Sequence, residues 1–222
     1  MPRGETQRHL DLKMLAANWA RAEGFPIWGL EVRLPGCGYR ADLAAYRPAR
    51  QKSVLGATAV FECKQARADF ARDSHSAEPT LARLKALDAR REKLEQLLRV
   101  HHPELRNGET LFESFDAYDF SKLGHKTYDR LAREIGVLQN RLYDRTKFEK
   151  LVRYRCANLL YLVVEPGVLT EQETPFGWGL LVRCADRLEL KRKPRFHEAT
   201  DHARLWLLQR IALAGTRKLS RE

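Results

Sequence analysis

Three polar residues in two short apolar segments have the types and spacing needed to hold a divalent cation. Asp42 lies among alanines and a leucine in YRADLAAY (39–46), and Glu62 and Lys64 are two residues apart in ATAVFECKQ (57–65). Side chains two apart in a strand project from the same face. If the two segments pair as antiparallel neighbours, Asp42 lies across from Glu62 with Lys64 one pleat further on. We therefore predict that two carboxylates and an amine converge.

A magnesium ion would resolve the repulsion between two close carboxylates. Mg²⁺ prefers hard oxygen ligands, keeps several waters and also binds substrate phosphate, and Mn²⁺ substitutes for it. The backbone carbonyl of Cys63 lies between the motif side chains and is a candidate extra ligand. Lys64 would orient the attacking water or stabilise charge in the transition state. The alternative is a cross-strand ion pair of Glu62 and Lys64 at a solvated edge, which accounts less well for Asp42 in an alanine-rich strand.

Predicted secondary structure surrounds these residues on both sides. Leu12, Leu15, Trp19 and Ala22 recur at helical spacing within residues 6–22. The segment IWGLEVRLPG alternates as a strand whose apolar face is formed by Trp28, Leu30, Val32 and Leu34. Further along, ANLLYLVVEPG predicts a strand buried on both faces, and WGLLVRC with RLELKRKP predicts a hairpin. HARLWLLQRIALAG predicts a closing helix that ends at Gly215.

A strongly charged helical region separates the two core-like parts of the chain. Residues 81–100 form one amphipathic pattern, 101–124 read as a connector with turns, and helical periodicity then resumes from Thr127. Two long helices joined by a connector predict an antiparallel, coiled-coil-like hairpin. The sequence supports two interpretations of this hairpin equally, a clamp that binds DNA and a solvated charged arm.

Composition favours an intracellular partner that is a polyanion. The formal net charge is +11, and such a field attracts nucleic acid. No apolar run is long enough to cross a membrane, and the N-terminus lacks the apolar core of a secretion signal. The four cysteines are far apart with no CxxC pair, which disfavours zinc fingers and disulfides. We expect a cytoplasmic protein without a small-molecule cofactor.

The two motif segments together resemble a known superfamily. LEVRLPGCGYRADLAAYRP followed by FECKQARADFARD is similar to the PD-(D/E)xK, or restriction-endonuclease-like, nucleases, and most similar to the MmcB-like DNA-repair family. The similarity resumes at FEKLVRYRCANLLYLVVEPGVLTEQETPFGWGLL. The resemblance implies an α/β fold with an α-β-β-β-α-β core built from 1–74 and 148–222. Residues 75–147 are then an insertion.

The resemblance also implies a site and a ligand. Asp42, Glu62 and Lys64 match the catalytic triplet, while Ala41 stands where the superfamily pattern has proline. A Mg²⁺ site and DNA as ligand follow from the match, in DNA repair or in the processing of phage or mobile-element DNA. Many nucleases of this fold act as dimers, so a homodimer is compatible with it.

Secondary candidates each have a structural alternative. Glu31 either reaches the metal as a third carboxylate or forms a solvent-facing pair with Arg33. Gln65 either hydrogen-bonds a phosphate or water, or acts as a structural amide at the strand end. The resemblance places a helix beside the site, on which solvated charge competes with phosphate binding as the role of Lys150, Arg153 and Tyr154.

Three function classes follow from these observations. The leading hypothesis is a Mg²⁺-dependent DNA nuclease. The second is a catalytically inactive nuclease-fold protein that binds DNA. The third is a repair adaptor whose hairpin over 81–147 binds a partner or self-associates.

Overall fold

The computed structural model describes residues 6–34, 37–49, 54–67, 78–107, 117–118, 120–143, 151, 155–175 and 177–219. The elements in chain order are helix α1 (Gln7–Ala22), strands β1 (Ile27–Arg33), β2 (Arg40–Arg47) and β3 (Ala57–Lys64), helix α2 (Glu78–His101), the short strands β4 (Arg106–Asn107) and β5 (Ala117–Tyr118), helix α3 (Lys126–Tyr143), strands β6 (Leu159–Val164), β7 (Trp178–Cys184) and β8 (Arg187–Arg192), and helix α4 (Asp201–Leu219). Single 3₁₀ turns at Pro103–Leu105 and Phe120–Leu123 lie within the predicted connector.

Six of the strands form one mixed sheet in the order β1-β2-β3-β6-β7-β8. β1, β2 and β3 pair antiparallel, β6 lies parallel to both β3 and β7, and β8 closes the sheet as an antiparallel hairpin with β7. The α/β class, the predicted strands and the final hairpin are therefore confirmed. All six residues of the central strand β6 are buried, as its continuous apolar sequence predicted.

Helices α1 and α4 cover opposite faces of this sheet. On the α1 face, Leu12, Ala16, Ala17 and Ala20 pack with Leu43, Phe61, Cys63, Tyr161 and Val163. On the α4 face, Leu207 and Ile211 pack with Ala41, Ala44, Val60, Leu162 and Val164. Small alanines on α1 let this helix lie close to the sheet, where the rings of Phe61 and Tyr161 stack with centroids 4.9 Å apart.

Two details of the helices differ from the prediction. The buried stripe of α1 contains Lys13 and the alanines, whereas Leu15 and Trp19 are only partly buried and Ala22 is exposed. The sheet requires small side chains at the closest approach, and hydrophobicity alone does not reveal this. Helix α4 also continues past Gly215 to Leu219, because no close neighbour forces a turn there and a helical glycine costs only about 1 kcal/mol.

The two long helices pack antiparallel, as predicted. Arg83 of α2 pairs with Glu134 of α3, and the Tyr128 hydroxyl donates to Glu95 at 3.0 Å. The helix pair also contacts the sheet, because the buried Asp88 of α2 forms an ion pair with Arg192 at the end of β8, 3.2 Å away.

Candidate active site

Strands β1 and β2 both change faces where the candidate carboxylates lie. Leu30 packs on the α1 face and Val32 on the α4 face, although residues two apart in a regular strand share a face. Between them Glu31 has a φ of 55°, in the left-handed region that a non-glycine residue rarely adopts. The predicted single apolar face of β1 is therefore wrong, because the backbone turns over at Glu31.

In β2, the equivalent change falls at Asp42. Ala41 belongs to the α4 face and Leu43 to the α1 face. The last paired residues of the ladder between β2 and β3 are Leu43 and Phe61, so Asp42 lies just beyond the point where this ladder ends. The carboxylate itself replaces the next backbone acceptor, because its Oδ2 accepts a hydrogen bond of 2.7 Å from the N–H of Cys63.

This hydrogen bond brings Asp42 onto the backbone between Glu62 and Lys64. The N–H and C=O of one residue in an extended strand point to the same side, so the carbonyl of Cys63 faces the same gap between β2 and β3. The carbonyl of the next residue, Lys64, points to the other side of the strand, where it accepts a hydrogen bond from the N–H of Glu165 just after β6. The Asp42 carboxylate and the Cys63 carbonyl therefore face the same gap between β2 and β3.

Glu62 and Lys64 share one face of β3, as their spacing predicted. They pair with Leu162 and Val164 of β6, which both belong to the α4 face. Glu62 is only 2% exposed, and Lys64 is half-buried. The structure differs from the expectation of one face for all three motif side chains, because the reversal at Asp42 directs its carboxylate to helix α1.

The carboxylate of Asp42 lies beside the buried ammonium group of Lys13. Its side chain is 2% exposed, and its ammonium forms an ion pair with Glu31 and lies 3.5 Å from Oδ1 of Asp42. Glu31 also accepts from Nε of Arg40 at 2.5 Å. The ion pairs of Glu31 thus involve Lys13 and Arg40 in place of the alternative partner Arg33. A buried ammonium requires such compensation, so Lys13 ties α1 to β1 and β2.

His9, one helical turn before Lys13, completes the surroundings of Asp42. Its Nε2 lies 3.4 Å from Oδ1 of Asp42. Burial opposes the charged form of Asp42, but the hydrogen bonds from His9 and Cys63 and the charge of Lys13 outweigh it and hold the pKa of Asp42 below its ordinary value. Asp42 is therefore a carboxylate at neutral pH.

Sequence reasoning missed His9 and Lys13. The available signal was their separation of four residues, which puts both on one side of α1 beside the stripe of Leu12 and Ala16.

The thiol of Cys63 is unsuited to metal binding. Burial raises its pKa well above the ordinary value, and the negative charges of Asp42 and Glu62 add to this shift. Both carboxylates thus act on the same buried thiol. Only the backbone carbonyl of Cys63 remains a candidate ligand.

Gln65 has a structural partner in the helix cap. Its Nε2 donates to Oγ1 of Thr6 at 2.8 Å, and the same hydroxyl accepts from the N–H of His9 as the N-cap of α1. The end of β3 is thereby held to the start of α1. This contact agrees with the structural alternative for Gln65 and not with a free amide awaiting phosphate.

A further carboxylate that sequence reasoning missed lies at the end of β6. Glu165 is 4% exposed and follows directly after Val164. Its Oε1 accepts from Arg8 of α1 at 3.1 Å and from Arg183 of β7 at 3.2 Å. Glu165 thus links three elements near the end of the ExK strand. The other predicted contacts, Lys150, Arg153 and Tyr154, lie outside the described residues.

The candidate ligand atoms are of the type that magnesium prefers, but in this structure they are not grouped around one point. Asp42, Glu62 and the Cys63 carbonyl offer hard oxygen atoms only, which Mg²⁺ prefers. Over the described ranges, no three or more histidine, cysteine or acidic side chains are grouped as a metal site would group them. Lys13 supplies positive charge beside Asp42 and Glu31, so binding of a cation there requires Asp42 to exchange one positive partner for another.

Comparison with known proteins shows the fold and nothing finer. No family model matches the chain, and no curated protein matches it. A solved structure described as the SPO1766 protein of unknown function from Silicibacter pomeroyi is similar with a TM-score of 0.52 and 18% identity. That match covers 97% of this chain and 91% of the other. None of the helices among the described residues is long and apolar enough to span a bilayer.

Proposed function

We propose that this chain is a Mg²⁺-dependent nuclease that hydrolyses phosphodiester bonds in DNA, in repair or in the processing of phage or mobile-element DNA. The observation that carries the proposal is the 2.7 Å hydrogen bond from the Cys63 N–H to Asp42, which joins the RAD and ExK segments. The element order agrees with a restriction-endonuclease-like core, because α1, β1, β2 and β3 are followed, after the segment that contains α2 and α3, by β6, which lies parallel to β3.

Each motif residue has a role in this proposal. Asp42 and Glu62 would hold the metal together with the Cys63 carbonyl, which requires the Asp42 carboxylate to turn from Lys13 on the α1 side towards Glu62 on the α4 side. Glu62 is 2% exposed and would provide a second hard oxygen ligand of the kind that Mg²⁺ prefers. The chemistry that a bound divalent ion would supply there is polarisation of the scissile phosphate and a lower pKa of a coordinated water. Lys64 lies on the same face as Glu62, where its ammonium stabilises charge on the phosphate in the transition state.

A second candidate is supported by the position of Lys13. Its buried ammonium contacts Glu31 and Asp42, so these carboxylates are already balanced without a metal. A nuclease-fold protein that has lost turnover and only binds DNA has this arrangement. The basic charge of +11 suits either function, because both require attraction to a polyanion.

Cleavage of labelled DNA in Mg²⁺, Mn²⁺ and EDTA distinguishes the two candidates. We expect wild-type cleavage with either metal, none in EDTA, and a fall of roughly 100- to 1,000-fold for Asp42→Asn and for Lys64→Ala. Lys93→Ala, on the exposed side of α2, is the matched control and should cleave as wild type does.

Equal cleavage by wild type, Asp42→Asn and Lys64→Ala would assign the activity to something other than this site. Salt-sensitive DNA binding with no cleavage in either metal would instead establish the inactive binding protein.

A further inference from the structure

A concave surface between α2 and α3 carries a concentration of positive charge far from the ExK strand in sequence. The groove has a volume of about 370 Å³ and is lined by Arg83 and Arg90 of α2 and by Lys126, Thr127, Arg130, Leu131 and Glu134 of α3. Four cations thus face one carboxylate. We call these seven residues the hairpin groove.

Within the described residues, most of this charge is not neutralised by ion pairs. Arg83 donates to Glu134 through Nε at 3.2 Å and Nη2 at 2.6 Å, which uses the single carboxylate of the groove. Arg90, Lys126 and Arg130 are exposed, and the described part of the chain provides no ion-pair partner for any of them. Three positive charges are therefore held together at a concave surface, where they repel one another unless an anion binds.

We infer that the hairpin groove binds the phosphate backbone of DNA, as a contact separate from the ExK site. This inference rests on DNA being the ligand, as in the proposed function. Arginine, lysine and threonine side chains are usual donors to phosphate oxygens, and Thr127 supplies a hydroxyl beside the cations.

The length of the groove matches a stretch of one DNA strand. Arg83 and Arg90 are seven residues apart, so they are separated by about 10.5 Å along α2. Successive phosphates on one strand rise by about 3.4 Å along the duplex axis, so a groove parallel to that axis would span about three nucleotides. Such a row of cations fits contacts to the phosphates of the DNA backbone and provides no recognition of bases.

An acidic peptide is a poorer fit to the same surface. Peptide sites depend on apolar anchors that bury side chains in a pocket. The one apolar residue that lines the groove, Leu131, is only 4% exposed. The groove therefore offers charge and hydrogen bonds but no apolar anchor.

The test measures duplex DNA binding by fluorescence anisotropy in EDTA, across a series of salt concentrations. The variant Arg90→Gln/Arg130→Gln removes two groove charges. The control Arg21→Gln/Arg187→Gln removes two exposed charges, one from α1 and one from the start of β8. Each lost phosphate contact lowers the slope of log K against log salt by about 0.9, so we expect the groove variant to lose about 1.8 and the control to match wild type.

The outcomes separate this inference from the proposed function. A groove variant whose slope equals that of the control overturns the inference and leaves the nuclease proposal intact. A groove-dependent slope without cleavage in Mg²⁺ supports the inference and refutes the nuclease. Wild type that binds no DNA at low salt overturns both, and circular dichroism confirms that each variant is folded.

Discussion

Replacing Lys13 with methionine removes the cation that holds Asp42 and Glu31 in place. Methionine has a similar length, so the change deletes a buried charge without leaving a large cavity. Removing one partner of a buried ion pair costs about 3–5 kcal/mol. In the variant Glu31 keeps its ion pair with Arg40 and has a 35% exposed side chain, and Asp42 keeps its hydrogen bond from the Cys63 N–H. The expected loss of unfolding free energy is therefore near the lower limit, about 3 kcal/mol.

Thermal unfolding in EDTA measures this loss. For a chain of this size 1 kcal/mol shifts Tm by about 2–4 °C, so Lys13→Met should melt about 6–12 °C below wild type. The exposed Lys126→Met is the matched control and should change stability by less than about 0.5 kcal/mol. Lys13→Arg should retain part of the stability because it keeps the charge.

The same melting experiment repeated with Mg²⁺ tests whether Asp42 is a metal ligand. If Asp42 is a metal ligand, Mg²⁺ takes the position of the lost ammonium in Lys13→Met. A ligand at about 100 times its Kd stabilises the folded state by about 2.7 kcal/mol. Tm of the variant should then rise by about 5–11 °C, while wild type gains less because Lys13 competes with the ion.

Two results would contradict this reasoning. An unchanged Tm of Lys13→Met in EDTA would show that the ion pairs of Lys13 do not stabilise the fold. An equal magnesium effect on wild type and variant would show that the ion binds away from Asp42.

Three further outcomes follow from buried polar contacts. Because the pKa of Asp42 is lower in the folded than in the unfolded protein, its stabilisation is present above pH about 4 and is lost as pH falls through the folded pKa, so acid titration of stability should show wild type and Asp42→Asn converging. Asn158→Ala leaves the buried N–H and hydroxyl of Thr58 without their 3.0 Å acceptor, which should cost roughly 3 kcal/mol in a denaturant titration; a loss below 1 kcal/mol would contradict this. A double-mutant cycle of Asp88→Ala and Arg192→Ala should give a coupling energy of about 1–3 kcal/mol, and additive effects would show that this ion pair does not hold α2 to the sheet.

The regular elements could be predicted from the sequence because each has one clear periodicity. Alternation of apolar and polar residues predicted β1 as a strand, and a continuous apolar run predicted β6, since a strand covered on both faces leaves no position for polar residues. The same reasoning put Glu62 and Lys64 on one face, as observed.

The detailed site could not be predicted, because it depends on departures from periodicity. Alternation assumes a regular strand, and the left-handed backbone that turns β1 over falls at Glu31, a residue type that gives no sign of it. Burial of Lys13 also breaks the rule that charged residues of an amphipathic helix face water. It becomes understandable only when Asp42 and Glu31, from two other elements, are seen around the ammonium.

The parallel contact between β3 and β6 has a consequence for how the chain folds. Thr58 and Asn158 are hydrogen-bonded although 100 residues separate them. Closing so long a loop is entropically costly, and contacts of this kind slow folding. The contacts between α2 and α3 span 33 and 51 residues, so they close shorter loops than the pairing of β3 with β6. We therefore expect the helical pair to form first and to act as an internal tether that shortens the search of β6 for its place in the sheet.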